Sequence, residues 1–209
     1  MGLYIVITAD IVESRKQKKY MKELSGKLKK LKVSSAIMPF TVSRGDELQA
    51  VLGSFDELPA VVRRLRYIVR PLELRIGVGI GEIDTTGLNR ARSSWELSGE
   101  AFFNARAALE EAKSLKISRT FVKSGIETLD TSLNTIFLLL DTIVDDWTEK
   151  QWEAVHIYEQ QGTYEKAASL LGVSIQNVQQ RCKSAKWKVV RKVEQNIAFL
   201  LSVFLDNRR

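Results

Sequence analysis

One cysteine, one histidine and three prolines are all that the 209 residues contain of these types. The lone cysteine, Cys182, cannot close an intramolecular disulfide, which fits a reducing cytoplasm. One histidine and one cysteine cannot furnish a tetrahedral zinc centre, so His156 and Cys182 read as packing or surface residues. No Pro- or Ser-rich stretch divides the chain, so a junction between folded units is expected to be a rigid helix. Long apolar runs are also missing. The longest inside a helical pattern, Ile136-Phe137-Leu138-Leu139-Leu140, is bounded by Thr135 and Asp141, far short of the roughly 20 residues a membrane helix needs. The opening segment, MGLYIVITAD, has no basic stretch before its apolar run, so no secretory leader is expected. Repeats and low-complexity tracts are absent. These absences together predict a cytoplasmic protein with no membrane partner.

What is present is a globular composition, 44% hydrophobic and 27% charged, with a net charge of +7 that suggests a polyanionic partner. One basic cluster runs from Arg15 to Lys32 and reads as a solvated helix face. A second runs from Arg181 to Lys192 with no acidic residue inside it.

Residues 3–9 form an apolar, β-branched strand, followed by a basic amphipathic helix over 13–32. Strands are predicted at 37–42 and 48–52, joined by the turn-like Ser43-Arg44-Gly45-Asp46-Glu47. A helix at 56–69 stops at Pro71. The strand at 72–83 carries Gly77, Gly79 and Gly81, which keep one of its faces flat. A polar loop (84–94), a helix (99–114) and a last strand (117–122) complete the front part. The order β-α-β-β-α-β-α-β predicts an α+β chain whose ferredoxin-like βαββαβ core is extended by one αβ unit. Only helices follow. The organisation expected is 1–124 for the α/β domain, 125–146 for a connector helix buried along Leu129, Leu133, Ile136, Leu140 and Ile143, and 147–209 for an all-α helix-turn-helix domain.

That motif lies at Tyr164 to Trp187. A helix-turn-helix needs a small residue where its helices cross, a residue tolerant of positive φ in the turn, and an apolar residue on the second helix facing the first. Ala168, Gly172 and Val178 meet these needs, and Ser174 is placed to N-cap the second helix. The outward residues Gln176, Asn177, Gln179, Gln180, Arg181 and Lys183, with Ser174, are the candidate contacts to double-stranded DNA, since amides pair with adenine edges and Arg or Lys with guanine or phosphate. The stretch resembles the helix-turn-helix of region 4 of bacterial sigma factors and of response regulators over about forty residues. The alternative is a helical hairpin that only packs on a partner. The final helix sets Val189, Val193, Ile197, Leu200 and Phe204 on one stripe, which predicts a homodimer or packing within the chain.

Asp10 ends the first strand and Asp46 sits in the hairpin. If the first and third strands are neighbours, the two carboxylates meet at one sheet edge, where Mg²⁺ or Mn²⁺ could be held together with phosphate. Asp10 to Glu13 also reads as a capping box, and Gly45-Asp46 as an ordinary turn. Four stretches (Thr8 to Val12, Arg44 to Glu47, Leu74 to Gly81, and Gly99 to Glu110) resemble the catalytic domain of class III nucleotide cyclases and, more loosely, the GGDEF diguanylate cyclases. The resemblance implies a metal held by Asp10, Asp46 and the backbone carbonyl of Ile11. It makes Arg44, Gly45 and Glu47 nucleotide contacts, with a nucleoside triphosphate as ligand and Asn104 as a catalytic candidate. Ala108 stands where the cyclases place an arginine, Arg106 is out of register, and Val42 stands where purine-specific cyclases have a lysine. The whole chain resembles the SatD family of bacterial proteins. Two readings remain open: a DNA-binding transcriptional regulator with a nucleotide- or metal-sensing or dimerising front, or a metal-dependent nucleotidyl enzyme whose helices serve assembly.

Overall fold

The computed structural model describes residues 2–43, 46–115 and 119–206. The fold is mixed α+β, built on a five-stranded mixed sheet in the order β2-β3-β1-β4-β5. The strands are β1 (Tyr4–Ile11), β2 (Ala36–Val42), β3 (Glu47–Leu52), β4 (Leu74–Gly81) and β5 (Thr120–Lys123). β1 is antiparallel to both β3 and β4, β2 is antiparallel to β3, and β5 runs parallel to β4. α1 (Lys18–Leu28) and α2 (Leu58–Val69) follow β1 and β3, and α3 (Glu100–Leu115) precedes β5.

Strand periodicity sorts the side chains. Ile5, Ile7, Ala9 and Ile11 of β1 enter the main core with Leu24 and Leu28 of α1 and Leu58, Val61 and Leu65 of α2. The opposite face, with Val6, lies under α3, where Ala101 and Ala105 are fully buried. The glycines of β4 make that approach possible. A Cβ on Gly77 would lie 2.2 Å from the Ala105 carbonyl oxygen, and one on Gly79 2.0 Å from that of Ala101. The flat strand face predicted from these glycines is thus occupied by helix backbone.

α1 begins five residues later than the pattern suggested, because Glu13 adopts a left-handed φ of 53° and a 3₁₀ turn (Ser14–Lys16) intervenes. Asp10 is therefore not a helix cap; it is still inside β1. The strand predicted at 117–122 is found at Thr120–Lys123, and its first expected residues lie outside the described ones.

α4 (Glu127–Asp145) closes the β5 edge of the sheet. Its buried stripe is Leu129, Leu133, Phe137, Leu140 and Val144, so Ile136 and Ile143, expected inside, are only half-buried. The shift follows from polar side chains that zip α4 to the outer edge of β5. Asn134 Oδ1 accepts from the Val122 N–H (2.7 Å) while its Nδ2 donates to the Val122 carbonyl (3.0 Å). Asp141 accepts from the amides of Arg119 and Thr120, and Asp130 from that of Ser124. The backbone groups of an edge strand, which would otherwise invite another chain, are satisfied here by side chains.

Four more helices follow: α5 (Glu149–Gln161), α6 (Tyr164–Leu171), α7 (Ile175–Ser184) and α8 (Trp187–Asp206). They share the main core with the sheet. Arg63 of α2, 4% exposed, joins the two parts: it donates to Glu159 of α5 (2.7 Å) and Glu194 of α8 (2.7 Å) and stacks on Trp187. On α8 the inward stripe is Val190, Ile197, Leu201 and Leu205. Of the stripe expected from sequence, Ile197 is buried, whereas Val189 and Phe204 remain exposed. No helix among the described residues is long and apolar enough to cross a membrane.

Candidate functional site

The first candidate is the end of the sheet where β1 leaves the core. In register, Asp10 stands between Glu47 of β3 and Arg75 of β4. Alternation puts the three on the face covered by α3, from which two cations descend. Arg106 makes a two-pronged ion pair with Glu47, and Lys113 Nζ lies 3.8 Å from Asp10. Burial pushes the Asp10 carboxyl above its ordinary range; Lys113 pulls it down, Asp46 and Glu47 push it up, and Arg75 pulls it down. Asp10, Asp46 and Glu47 are therefore electrostatic neighbours, as the juxtaposition of strand end and hairpin requires. Arg44 and Gly45 lie outside the described residues. No group of three or more His, Cys, Asp or Glu arranged for a metal ion occurs among the described residues. The hard oxygen donors of Asp10 and Asp46 are of the kind that suits Mg²⁺ or Mn²⁺, and Lys113 and Arg106 already stand against Asp10 and Glu47. Asn104 is engaged elsewhere: its Nδ2 donates to the Ile80 carbonyl (2.8 Å). Ala108 is fully buried against the sheet. The side chain of Ile11 is buried too.

The second candidate is the outer face of α7. α5 is held at its start by a reciprocal capping box between Thr148 and Gln151. α6 starts on a Thr163 cap and ends at Gly172, whose φ of 62° reverses the chain. Ser174 caps α7 by accepting from the Asn177 N–H (3.2 Å). Ala168 and Val178 are buried where α6 and α7 face each other, with Cys182 one turn further along. This packing leaves Ser174, Gln176, Asn177, Gln179, Gln180 and Lys183 exposed. Arg181 differs: it is half-buried, 3.8 Å from Glu153 of α5. Lys186, Lys188, Arg191 and Lys192 extend the basic surface onto α8.

A family model described as the SatD family matches residues 4–201, spanning the sheet, α4 and nearly all of the helices behind it. The chain belongs to the SatD family. No curated protein matches it.

The match runs unbroken across both parts of this SatD-family chain, as does its core. Arg106 and Lys113 are the site residues that sequence reasoning set aside or passed over. Their seven-residue spacing places them on one face of α3, and that face is the available signal. Their partners lie 59 and 103 positions away, so the pairing follows only from the strand order. His156 and Cys182 turn inward. His156 stacks on Tyr67 with ring centroids 4.0 Å apart, and Cys182 is 3% exposed.

Proposed function

We propose that the protein is a DNA-binding transcriptional regulator whose N-terminal α/β unit responds to a nucleotide and a divalent ion. The observation that carries this reading is the outward face of α7: a capped helix following a glycine turn, with Gln176, Asn177, Gln179, Gln180 and Lys183 exposed together. Amides read base edges and the neighbouring cations hold phosphates. The helix-turn-helix assignment is further supported by the burial of Ala168 and Val178 at the crossing. Selection from a pool of random duplexes tests it. Wild type is expected to enrich a defined sequence, and replacing Gln176, Asn177 and Gln180 with alanine to leave only weak, nonspecific binding. An enriched sequence that the triple variant retains would refute the assignment.

The ferredoxin-like, cyclase-like reading of the front is supported by the all-antiparallel order β2-β3-β1-β4, with β5 added in parallel. Asp10 and Asp46 would hold a Mg²⁺ or Mn²⁺ ion, which when bound would neutralise the phosphates of a nucleoside triphosphate. Asp10→Asn with Asp46→Asn should abolish nucleotide binding in calorimetry with Mn²⁺; unchanged binding would reject the metal site. An enzymatic reading keeps one specific support, the cations Arg106 and Lys113 beside the carboxylates. Cyclic product formed at about 1 s⁻¹ or faster would favour it.

The dimer is proposed on a different surface from the one read in sequence: Phe199 and Val203 of α8 with Leu139 of α4, exposed on two helices that pack together. A particle of 23.7 kDa in light scattering at micromolar concentration would refute it.

A further inference from the structure

The α7–α8 junction holds a half-open cavity that borders the outer face of α7 and shares Gln179 and Lys183 with it. Its volume is about 510 Å³, within the range of roughly 300–1,000 Å³ typical of small-molecule sites. Tyr164 of α6, Cys182 of α7, and Trp187 and Val189 of α8 form its apolar walls, and Lys183, Lys186 and Lys188 stand at its rim. Among the described residues no carboxylate lines it. Trp187 and Cys182 are almost completely buried, so the floor is fixed, whereas the three lysines are exposed.

The backbone supplies an independent observation. Lys186 joins the two helices with φ of 54°. The two preceding helix ends that turn left-handed do so at Gly162 and Gly172, where no side chain resists the conformation. At the third such turn a lysine is held in a conformation that glycine would adopt without steric cost, which points to a use for its side chain.

We infer that this cavity binds a small organic anion with a planar apolar body, such as an aromatic carboxylate, sulfonate or phosphate. The apolar walls take the planar body, and the ammonium groups take the anionic head. Gln179 and Lys183 line the cavity and also belong to the outer face of α7, so an occupant competes with duplex DNA. That consequence rests on the DNA-binding reading; the site itself does not.

The test is a titration of the full chain with anilinonaphthalene sulfonate, read by fluorescence, on wild type, Lys186→Gly and Val189→Glu, each checked for folding by thermal denaturation. Wild type should show one saturable site. Val189→Glu, which adds a carboxylate to the wall, should bind roughly tenfold more weakly or worse. Lys186→Gly should bind about threefold more weakly while melting no lower than wild type, because the left-handed turn suits glycine. Equal affinities in all three proteins would overturn the site and place the dye on the exposed apolar residues of α8. Duplex DNA should displace the dye from wild type; duplex that binds without displacing it would overturn the coupling. Failure to bind duplex at all would refute the DNA reading alone, since the dye titration is judged without DNA.

Discussion

At the scale of single residues, the charges that matter are those the fold holds away from their ordinary protonation. Asp10 is held above its ordinary range chiefly by burial. A carboxyl whose folded pKa exceeds its unfolded value stabilises the fold below that unfolded value, and the benefit is lost as pH rises through the folded one. Asp10→Asn is therefore expected to raise the Tm at neutral pH, with the gain vanishing as pH falls below the ordinary value of 3.8. A lower Tm at neutral pH would mean that the Lys113 contact outweighs the burial. His156 behaves oppositely. Burial against Tyr67 lowers its pKa from 6.5 to about 4, so the neutral ring is the native form. Stability is full above 6.5 and is lost as pH falls from 6.5 towards 4, because the unfolded chain takes up the proton first. His156→Gln should flatten that part of a plot of Tm against pH; an unchanged slope would contradict the assignment. Asp10 and Asp46 were legible in the sequence because each sits beside a recognisable strand or turn. Arg106 was not, because spacing within α3 says nothing of which distant hairpin it meets.

At the scale of elements, periodicity served best where one face is buried and least where polar groups replace apolar ones. β1 and β4 declare themselves by apolar, β-branched residues, and β3 by a short stretch that follows a turn-like sequence. α4 misled because Asp130, Asn134 and Asp141 face the β5 edge, a partner that hydrophobic spacing cannot indicate. The glycines of β4 give the sharpest prediction at this level. In Gly79→Ala the new Cβ meets α3 backbone rather than a flexible side-chain end. The cost should be about 3 kcal/mol in urea unfolding, and a cost below about 1 kcal/mol would show that α3 can withdraw.

At the scale of the molecule, the front and back parts are joined by a buried charge cluster that no sequence pattern announced. Arg63 sits between Glu159 and Glu194, and burial pushes the Glu194 carboxyl up even as Arg63 pulls it down. Removing the cation alone leaves the Glu194 carboxylate buried without compensation, whereas Glu159 keeps Arg64. Arg63→Met should cost about 3–5 kcal/mol, and Arg63→Met with Glu194→Met should recover much of that loss. If the single variant costs nothing, the two parts do not depend on this junction. Through this joint α2, which belongs to the sheet layer, contacts both α5 and α8.

DNA binding through α7 is tested most directly by fluorescence anisotropy with a labelled duplex across a salt series from about 50 to 200 mM. It compares wild type with Lys183→Ala and with Lys19→Ala/Lys22→Ala. Tight binding at low salt is expected, with log K falling linearly against log salt. Lys183→Ala should reduce the slope by about 1, and the α1 lysine variant should leave it unchanged. No binding at low salt, or a larger loss from the α1 lysines than from Lys183, would contradict the claim that α7 carries the function.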